Sequence, residues 1–231
     1  KNRRWHRPLM SLLDIPADFM PRAYEGPEVT GRLSKQAAKA TGLPEGLPVI
    51  AGGGDQAAGG IGTGVVRPGV LSAALGTSGV VFAFAGEPFT DPQGRVHTFC
   101  HSVPGKWHVM GVVLSAGGSL RWHRDALCAP ERAVARNTGK DPYEFITLGA
   151  EAAPLGAEGL IFLPYLTGER TPHNDADAKG AFIGLSLRHG HGHLSRAVLE
   201  GVAYAMRDSL EIMRGMGLAA TQVRASGGGA R

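Results

Sequence analysis

Ala51-Gly52-Gly53-Gly54-Asp55-Gln56 is the stretch on which the reading of this chain turns. The apolar run Leu47-Pro48-Val49-Ile50 precedes it, and a small-residue stretch from Ala57 to Gly64 follows. One carboxylate therefore stands where a strand gives way to a helix start. The glycines clear side chains from the path of a ligand to the backbone. The positive end of a helix favours an ionised carboxylate, the form that accepts a proton from an alcohol. Taken alone, a Gly-rich corner between strand and helix is most often a tight turn and nothing more. Its weight comes from the segments that accompany it.

Three further glycine-bearing turns follow strand-like segments. Leu75-Gly76-Thr77-Ser78-Gly79 lies between the apolar runs Val70–Leu75 and Val80–Phe84 and reads as a β-hairpin turn. Gly with Thr and Ser there supplies backbone N–H groups and hydroxyls, the donors that hold phosphate oxygens. In Gly111-Val112-Val113-Leu114-Ser115-Ala116-Gly117-Gly118-Ser119-Leu120-Arg121-Trp122 a strand runs into a helix whose first turn is built from small residues. The fourth turn is Ala225-Ser226-Gly227-Gly228-Gly229-Ala230-Arg231. Any one of these is best read as a hairpin or a cap; three of them with an acidic turn suggest loops around one polyphosphate. Two commoner nucleotide motifs are excluded. No Lys follows a glycine cluster in the G-x-x-x-x-G-K-[ST] arrangement of a P-loop. Gly60-Ile61-Gly62-Thr63-Gly64 is not G-x-G-x-x-G, and Glu87 stands too isolated to be the ribose acid of a Rossmann unit.

Gly-Gly-Gly-Asp-Gln, Leu-Gly-Thr-Ser-Gly, Ser-Ala-Gly-Gly-Ser and Gly-Gly-Gly-Ala-Arg occur here in the order found in FGGY-type carbohydrate kinases, which the chain resembles over essentially its whole length. A second family signature is present as Gly180-Ala181-Phe182-Ile183-Gly184-Leu185, seven residues, then His193-Leu194-Ser195-Arg196-Ala197-Val198-Leu199-Glu200. Thr98 to His108, and Leu163 to Asn174 with its Gly168-Glu169-Arg170-Thr171-Pro172 core, resemble the xylulokinase branch.

The resemblance implies an α/β fold of the actin-like (ribonuclease H-like) ATPase type. Residues 1–66 would be the remainder of a first sugar kinase domain carrying Asp55. Residues 67–231 would be the second, nucleotide-binding domain, cut in its adenosine loop. It implies ATP-dependent phosphorylation of the terminal hydroxyl of a ketopentose, with D-xylulose first. Another FGGY substrate (ribulose, gluconate or glycerol) and a non-catalytic nucleotide-binding module remain as alternatives. Asp55 would be the general base and, with Gln56, a sugar contact. Gly76, Thr77 and Ser78 would hold the β- and γ-phosphates, while Gly117, Gly118, Arg121, Gly228, Gly229 and Ala230 would surround the rest of the nucleotide. Two positions depart from the pattern. Arg121 stands where some relatives carry Gln, and Gln56 stands where xylulokinases commonly carry Asn. Mg²⁺ is expected with ATP, a small-molecule sugar is the expected partner, and a homodimer is an assembly the resemblance allows. The first phosphate loop of the family, Asp-x-Gly-Thr-Ser, occurs nowhere in the sequence, so the chain reads as a fragment of a longer, two-domain protein.

Composition fits a globular body. The chain has 231 residues, 43% hydrophobic, with no apolar run of bilayer length. The basic start Lys1-Asn2-Arg3-Arg4-Trp5-His6-Arg7 lacks the apolar region and cleavage site of a targeting segment. Cys100 and Cys128 make neither a metal spacing nor a disulfide framework, which suits the cytoplasm. A net charge of +4 with dispersed Lys and Arg does not call for nucleic acid, and no membrane partner is expected.

Pattern and punctuation predict helices over Met10–Leu13, Ser34–Thr41 with Gly42 closing it, about 118–127, Asp141–Ala152 and His193–Met216. The last carries an apolar stripe from Leu194 to Met213 near the 3.6 period. Strands are predicted over Val49–Ala51, near 70–84 and 107–114, and over Gly159–Leu163, with a long loop from Pro164 to Lys179. Val66-Arg67-Pro68-Gly69 reads as a hinge. Metal binding by His189, His191 and His193 is disfavoured, because they lie on a Gly-rich loop without acidic or Cys partners. His97, His101 and His108 read as satisfied or solvent-facing histidines, Trp122 as a core anchor, and Glu200 as a backbone-bonding group. Glu169-Arg170 is divided between an ion pair that fixes its loop and a role at the interdomain cleft.

Overall fold

A computed structural model describes residues 3–230 of the chain, so Lys1 and Asn2 of the basic start and Arg231 of the last turn lie outside the described residues. In chain order the elements are α1 (Arg7–Leu12), β1 (Val29–Arg32), α2 (Lys35–Thr41), β2 (Pro48–Ile50), α3 (Asp55–Gly62), β3 (Val70–Leu75), β4 (Gly79–Ala85), β5 (His97–Cys100), β6 (Trp107–Val113), α4 (Gly117–Leu127), α5 (Ala129–Thr138), α6 (Pro142–Ala152), β7 (Ile161–Leu163), β8 (Ala181–Ile183), α7 (His191–Gly215) and β9 (Gln222–Ser226).

A five-stranded sheet in the order β5-β6-β4-β3-β9 forms the centre. Its first four strands pair antiparallel and β9 joins β3 in parallel. Successive side chains of a strand point to opposite faces, and β4 shows what that does here. Val81, Ala83 and Ala85 enter a core with Leu71, Val109, Val113 and the α7 residues Ala205, Met206 and Met213. Val80, Phe82 and Phe84 enter a second core with Val65 and Val70 on the other face. Every residue of β4 is buried, as expected of a strand covered on both sides. That is why the stretch reads as an unbroken apolar run instead of an alternating one.

The 25-residue α7 lies on one face, and its buried residues Ala197, Val198, Gly201, Val202, Ala205 and Met213 follow the predicted stripe. Its first half meets Phe162 of β7 and Leu160 in a third core. The small pair β7–β8 closes over that end. On the other face of the sheet, Val65 and the end of α3 are tied down. The Val65 carbonyl lies 3.0 Å from His101 Nε2, and the Arg224 guanidinium donates to the Thr63 carbonyl. The outlying pair β1–β2 is antiparallel and carries α2 between its strands, capped by the Ser34 side chain and closed by Gly42 with φ +75°.

Four elements lie outside the sequence expectation: β1, β5, α5 and β8. The region over 141–152 is a regular helix of eleven residues.

Candidate active site

Asp55 is the first residue of α3, with Gly54 at the N-cap. The corner that delivers it needs its glycines for different reasons. Gly52 has φ +77°, a conformation that side chains rarely adopt. At Gly53 a Cβ would run into the Ser102 hydroxyl, which is itself buried without a hydrogen-bond partner. The Asp55 side chain is exposed, and its Oδ1 accepts the Gln56 N–H at 2.8 Å. Gln56 follows it in the same first turn and is half-buried.

The three remaining glycine turns meet at one end of the sheet. The Gly117 N–H donates to the Gly76 carbonyl, and the Ala116 and Gly118 N–H groups donate to the Thr77 carbonyl, each at 2.9 Å. These bonds consume the donors that the start of α4 would otherwise present to an anion. A different pair is left open: the N–H groups of Thr77 and Ser78 donate to no group among the described residues. The last turn, Gly227–Ala230, packs on the end of β3, where Gly229 lies against Leu75. Beside the junction is a cavity of about 360 Å³ lined by Leu75, Gly117, Leu120, Val198, Val202 and Gly229, among others. Its walls are almost wholly apolar. Arg121 is exposed one turn into α4 and makes no ion pair among the described residues.

Three turns that are far apart in sequence thus form one corner, two joined by hydrogen bonds and the third packed on them, with free backbone donors and an apolar recess. Matches to known proteins give that corner its context. The chain fits the family model of the FGGY carbohydrate kinases, C-terminal domain, over residues 71–231 and the corresponding N-terminal domain over residues 1–62. The chain belongs to the FGGY family of carbohydrate kinases. It is 43% identical to a xylulose kinase of Escherichia coli over 99% of its own length, and 40% identical to one of Klebsiella pneumoniae over 98%. A crystal structure of xylulose kinase from Rhodospirillum rubrum superposes with a TM-score of 0.85 at 36% identity, covering 98% of this chain and 44% of that one. The chain spans 45% and 44% of the two curated relatives, which is less than half of either. The fold is the actin-like ATPase type of the FGGY sugar kinases, as the motifs implied.

Within this FGGY scaffold, among the described residues, no hydrogen bond joins Asp55 or Gln56 to the corner. The Gly53–Ser102 contact follows Cys100, which pairs with Trp107, and Trp107 pairs with Ala85. The 75–79 turn sits at the other end of β4, before Gly79, which pairs with Val113. The structure therefore gathers Gly76, Thr77, Ser78, Gly117, Gly118, Gly228, Gly229 and Ala230, and leaves Asp55 and Gln56 apart from them.

Glu169 and Arg170 form no ion pair with each other, which corrects the first of the two readings above. Glu169 is 1% exposed and points inward. Its Oε1 accepts the Leu114 N–H at 2.9 Å and the Arg170 N–H at 2.8 Å, while Oε2 is buried without a partner. Burial raises its pKa, against the lowering pull of those two N–H groups. Thr171 adds two bonds to Val112, so the loop after β7 grips the end of β6 just before the glycine corner. The carboxylate is a brace for that corner. Sequence pattern marked the residue and missed the bond, because its partner is a backbone N–H 55 positions away. The lining of the apolar recess was also missed: Val198 and Val202 read from sequence as ordinary core positions of α7.

Trp122 is 37% exposed and stacks on Phe162 with ring centroids 6.0 Å apart, so it flanks the third core and does not anchor it. Glu200 accepts the Gly156 N–H at 3.0 Å and pairs with Arg196 at 2.7 Å, the backbone role expected of it. His189 Nδ1 accepts the Ser186 N–H and His193 Nδ1 the Gly190 N–H, while His191 pairs with Glu131. These imidazoles fasten a loop to the start of α7.

Buried histidines set an acid limit on the fold. His101 donates from Nε2 to the Val65 carbonyl and accepts the Val103 N–H on Nδ1, which fixes the neutral tautomer. His108 is 3% exposed and stacks on Phe82 at 4.4 Å. Burial, with the nearby His101 second, pushes its pKa from 6.5 down to about 4. Between those values the unfolded chain binds a proton that the folded chain refuses. Stability therefore falls as pH drops through 6.5 towards 4, by up to about 3 kcal/mol from this group. Thermal melts at pH 7.5 and pH 5 should show the loss, and His108→Phe should shrink it. An unchanged pH dependence in that variant would assign the loss to other groups.

Proposed function

We propose that this chain is part of an ATP-dependent sugar kinase that phosphorylates the terminal hydroxyl of a ketopentose, converting D-xylulose to D-xylulose 5-phosphate. The observation that carries the reading is the corner built by residues 75–79, 116–118 and 227–230, with free Thr77 and Ser78 N–H groups beside an apolar recess. It fits an adenine nucleotide: the recess suits a base, and the free donors suit the β- and γ-phosphates. Its relatives named xylulose kinase point to the sugar.

Phosphoryl transfer asks mainly for in-line positioning and charge neutralisation. Asp55, at the N-terminus of α3, takes the proton of the attacking hydroxyl, and Gln56 orients the sugar. Asp55 stands apart from the phosphate turn, so transfer needs the first-domain segment to close on the second. We place the domain boundary between residues 66 and 67 and the hinge at 66–69. ATP supplies the transferred phosphoryl group. Mg²⁺ would come with it, held by the phosphates, since among the described residues no cluster of three metal-binding side chains is present. Among the described residues no helix is long and apolar enough to cross a membrane. The two free thiols suit a reducing cytoplasm, where we place the enzyme. Sedimentation of the full-length protein would report whether it forms a homodimer.

The test is a coupled assay of ADP release by the full-length protein with D-xylulose, ribulose, gluconate and glycerol. D-xylulose should give the highest kcat/KM. A different preferred sugar would replace the substrate, and no ADP release with any of them would remove the kinase reading.

A further inference from the structure

At the C-terminal end of α4, the opposite end from the glycine corner, α4, α5 and the start of α6 border an open recess of about 500 Å³. Arg124, Arg132, Arg136 and Lys140 line it, and Asp125 is the carboxylate in its wall. Asp125 is already engaged, since Arg124 reaches its two oxygens at 2.7 and 3.0 Å. Arg132 lies 3.8 Å from the same carboxylate and donates instead to the Asp125 backbone carbonyl at 2.9 Å. Its Nε is buried with no partner. Lys140 has a long, exposed contact of 3.6 Å with Glu144, and Arg136 makes no ion pair among the described residues.

The spacing sharpens the point. Arg132 and Arg136 stand four residues apart on α5 and share one face, where like charges oppose helix formation, and Lys140 reaches the same recess from beyond the Gly139 cap. The negative end of α5 offsets this for Arg136, which lies in its last turn. The end of α4 does the same for Arg124, but neither helix end helps Arg132, in the first half of α5. The Arg132 and Arg136 guanidiniums, with the one Arg124 nitrogen that Asp125 does not hold, match the oxygens of a phosphate group, and the buried Arg132 Nε is a donor that such a group would satisfy.

We propose that this cavity binds a small phosphate-bearing anion, through Arg124, Arg132, Arg136 and Lys140, at a site separate from the nucleotide corner. A sugar phosphate and a nucleotide present the same chemistry, and the two are separated by titration. The inference does not depend on the kinase reading, because its readout is binding.

The experiment is calorimetry on the full-length protein with inorganic pyrophosphate, ribose 5-phosphate and AMP as probes, in wild type, Arg136→Gln and Arg132→Gln/Arg136→Gln. At least one probe should bind with an affinity that falls about tenfold in Arg136→Gln and further in the double variant, with melting temperature unchanged in the single variant. Ribose 5-phosphate binding with AMP silent would assign a sugar phosphate; the reverse would assign a nucleotide. Equal affinity for every probe in wild type and Arg136→Gln would overturn the site. So would a DNA oligonucleotide that binds this patch more tightly than all three probes.

Discussion

Asp55→Asn in the full-length enzyme should lower turnover by about 10²–10⁴-fold, the range supplied by a positioned general base, while ATP still binds. Asn keeps the size of the side chain, and its carbonyl oxygen can still accept the Gln56 N–H that Asp55 Oδ1 now holds at 2.8 Å. The first turn of α3 is thus preserved and only the proton acceptor is lost. Asp55 is exposed and makes no ion pair among the described residues, so its replacement should leave the melting temperature within a degree or two of wild type. The readout is the pair of kcat and ATP dissociation constant. A variant that kept more than about a third of wild-type turnover would take the base away from this position.

How much of this could be read from the sequence depended on whether the information was local. Glycine turns are local: Leu75–Gly79 and Ser115–Gly118 announce themselves because small residues follow apolar runs, and both turned out to shape the corner. The α7 stripe was legible for the same reason, as a repeat within a single helix. By contrast, α5 buries only Ala135, so it has no stripe to detect; Pro130 near its start and Gly139 at its end were the only marks. The four-residue β5 is half-buried to exposed and owes its conformation to pairing with β6, as β8 owes its own to β7. Tertiary partners decide such segments, and no window of sequence contains them. The Glu169 brace and the basic cavity are of this kind too. Each joins elements that the order of residues does not place side by side.

Gly117→Ala and Gly228→Ala add the same methyl group to two glycines of the candidate nucleotide corner, yet their effects should differ in kind. At Gly117 a Cβ would stand 2.6 Å from the Gly76 carbonyl oxygen, a backbone atom that the Gly117 N–H itself holds at 2.9 Å. Neither partner can move without breaking the bond that docks α4 on the 75–79 turn. Gly117→Ala should therefore weaken ATP binding at least tenfold, about 1.4 kcal/mol, and lower the melting temperature with it. At Gly228 a Cβ meets nothing within 4 Å. Gly228→Ala should leave the melting temperature unchanged, so any loss of ATP affinity there reports space that the nucleotide occupies. Calorimetry and thermal melts on both variants separate a glycine that lets two turns touch from one that leaves room for a ligand. Wild-type ATP affinity in Gly117→Ala would show that the docking of α4 on the 75–79 turn does not matter for nucleotide. Wild-type affinity in Gly228→Ala would remove that residue from the site.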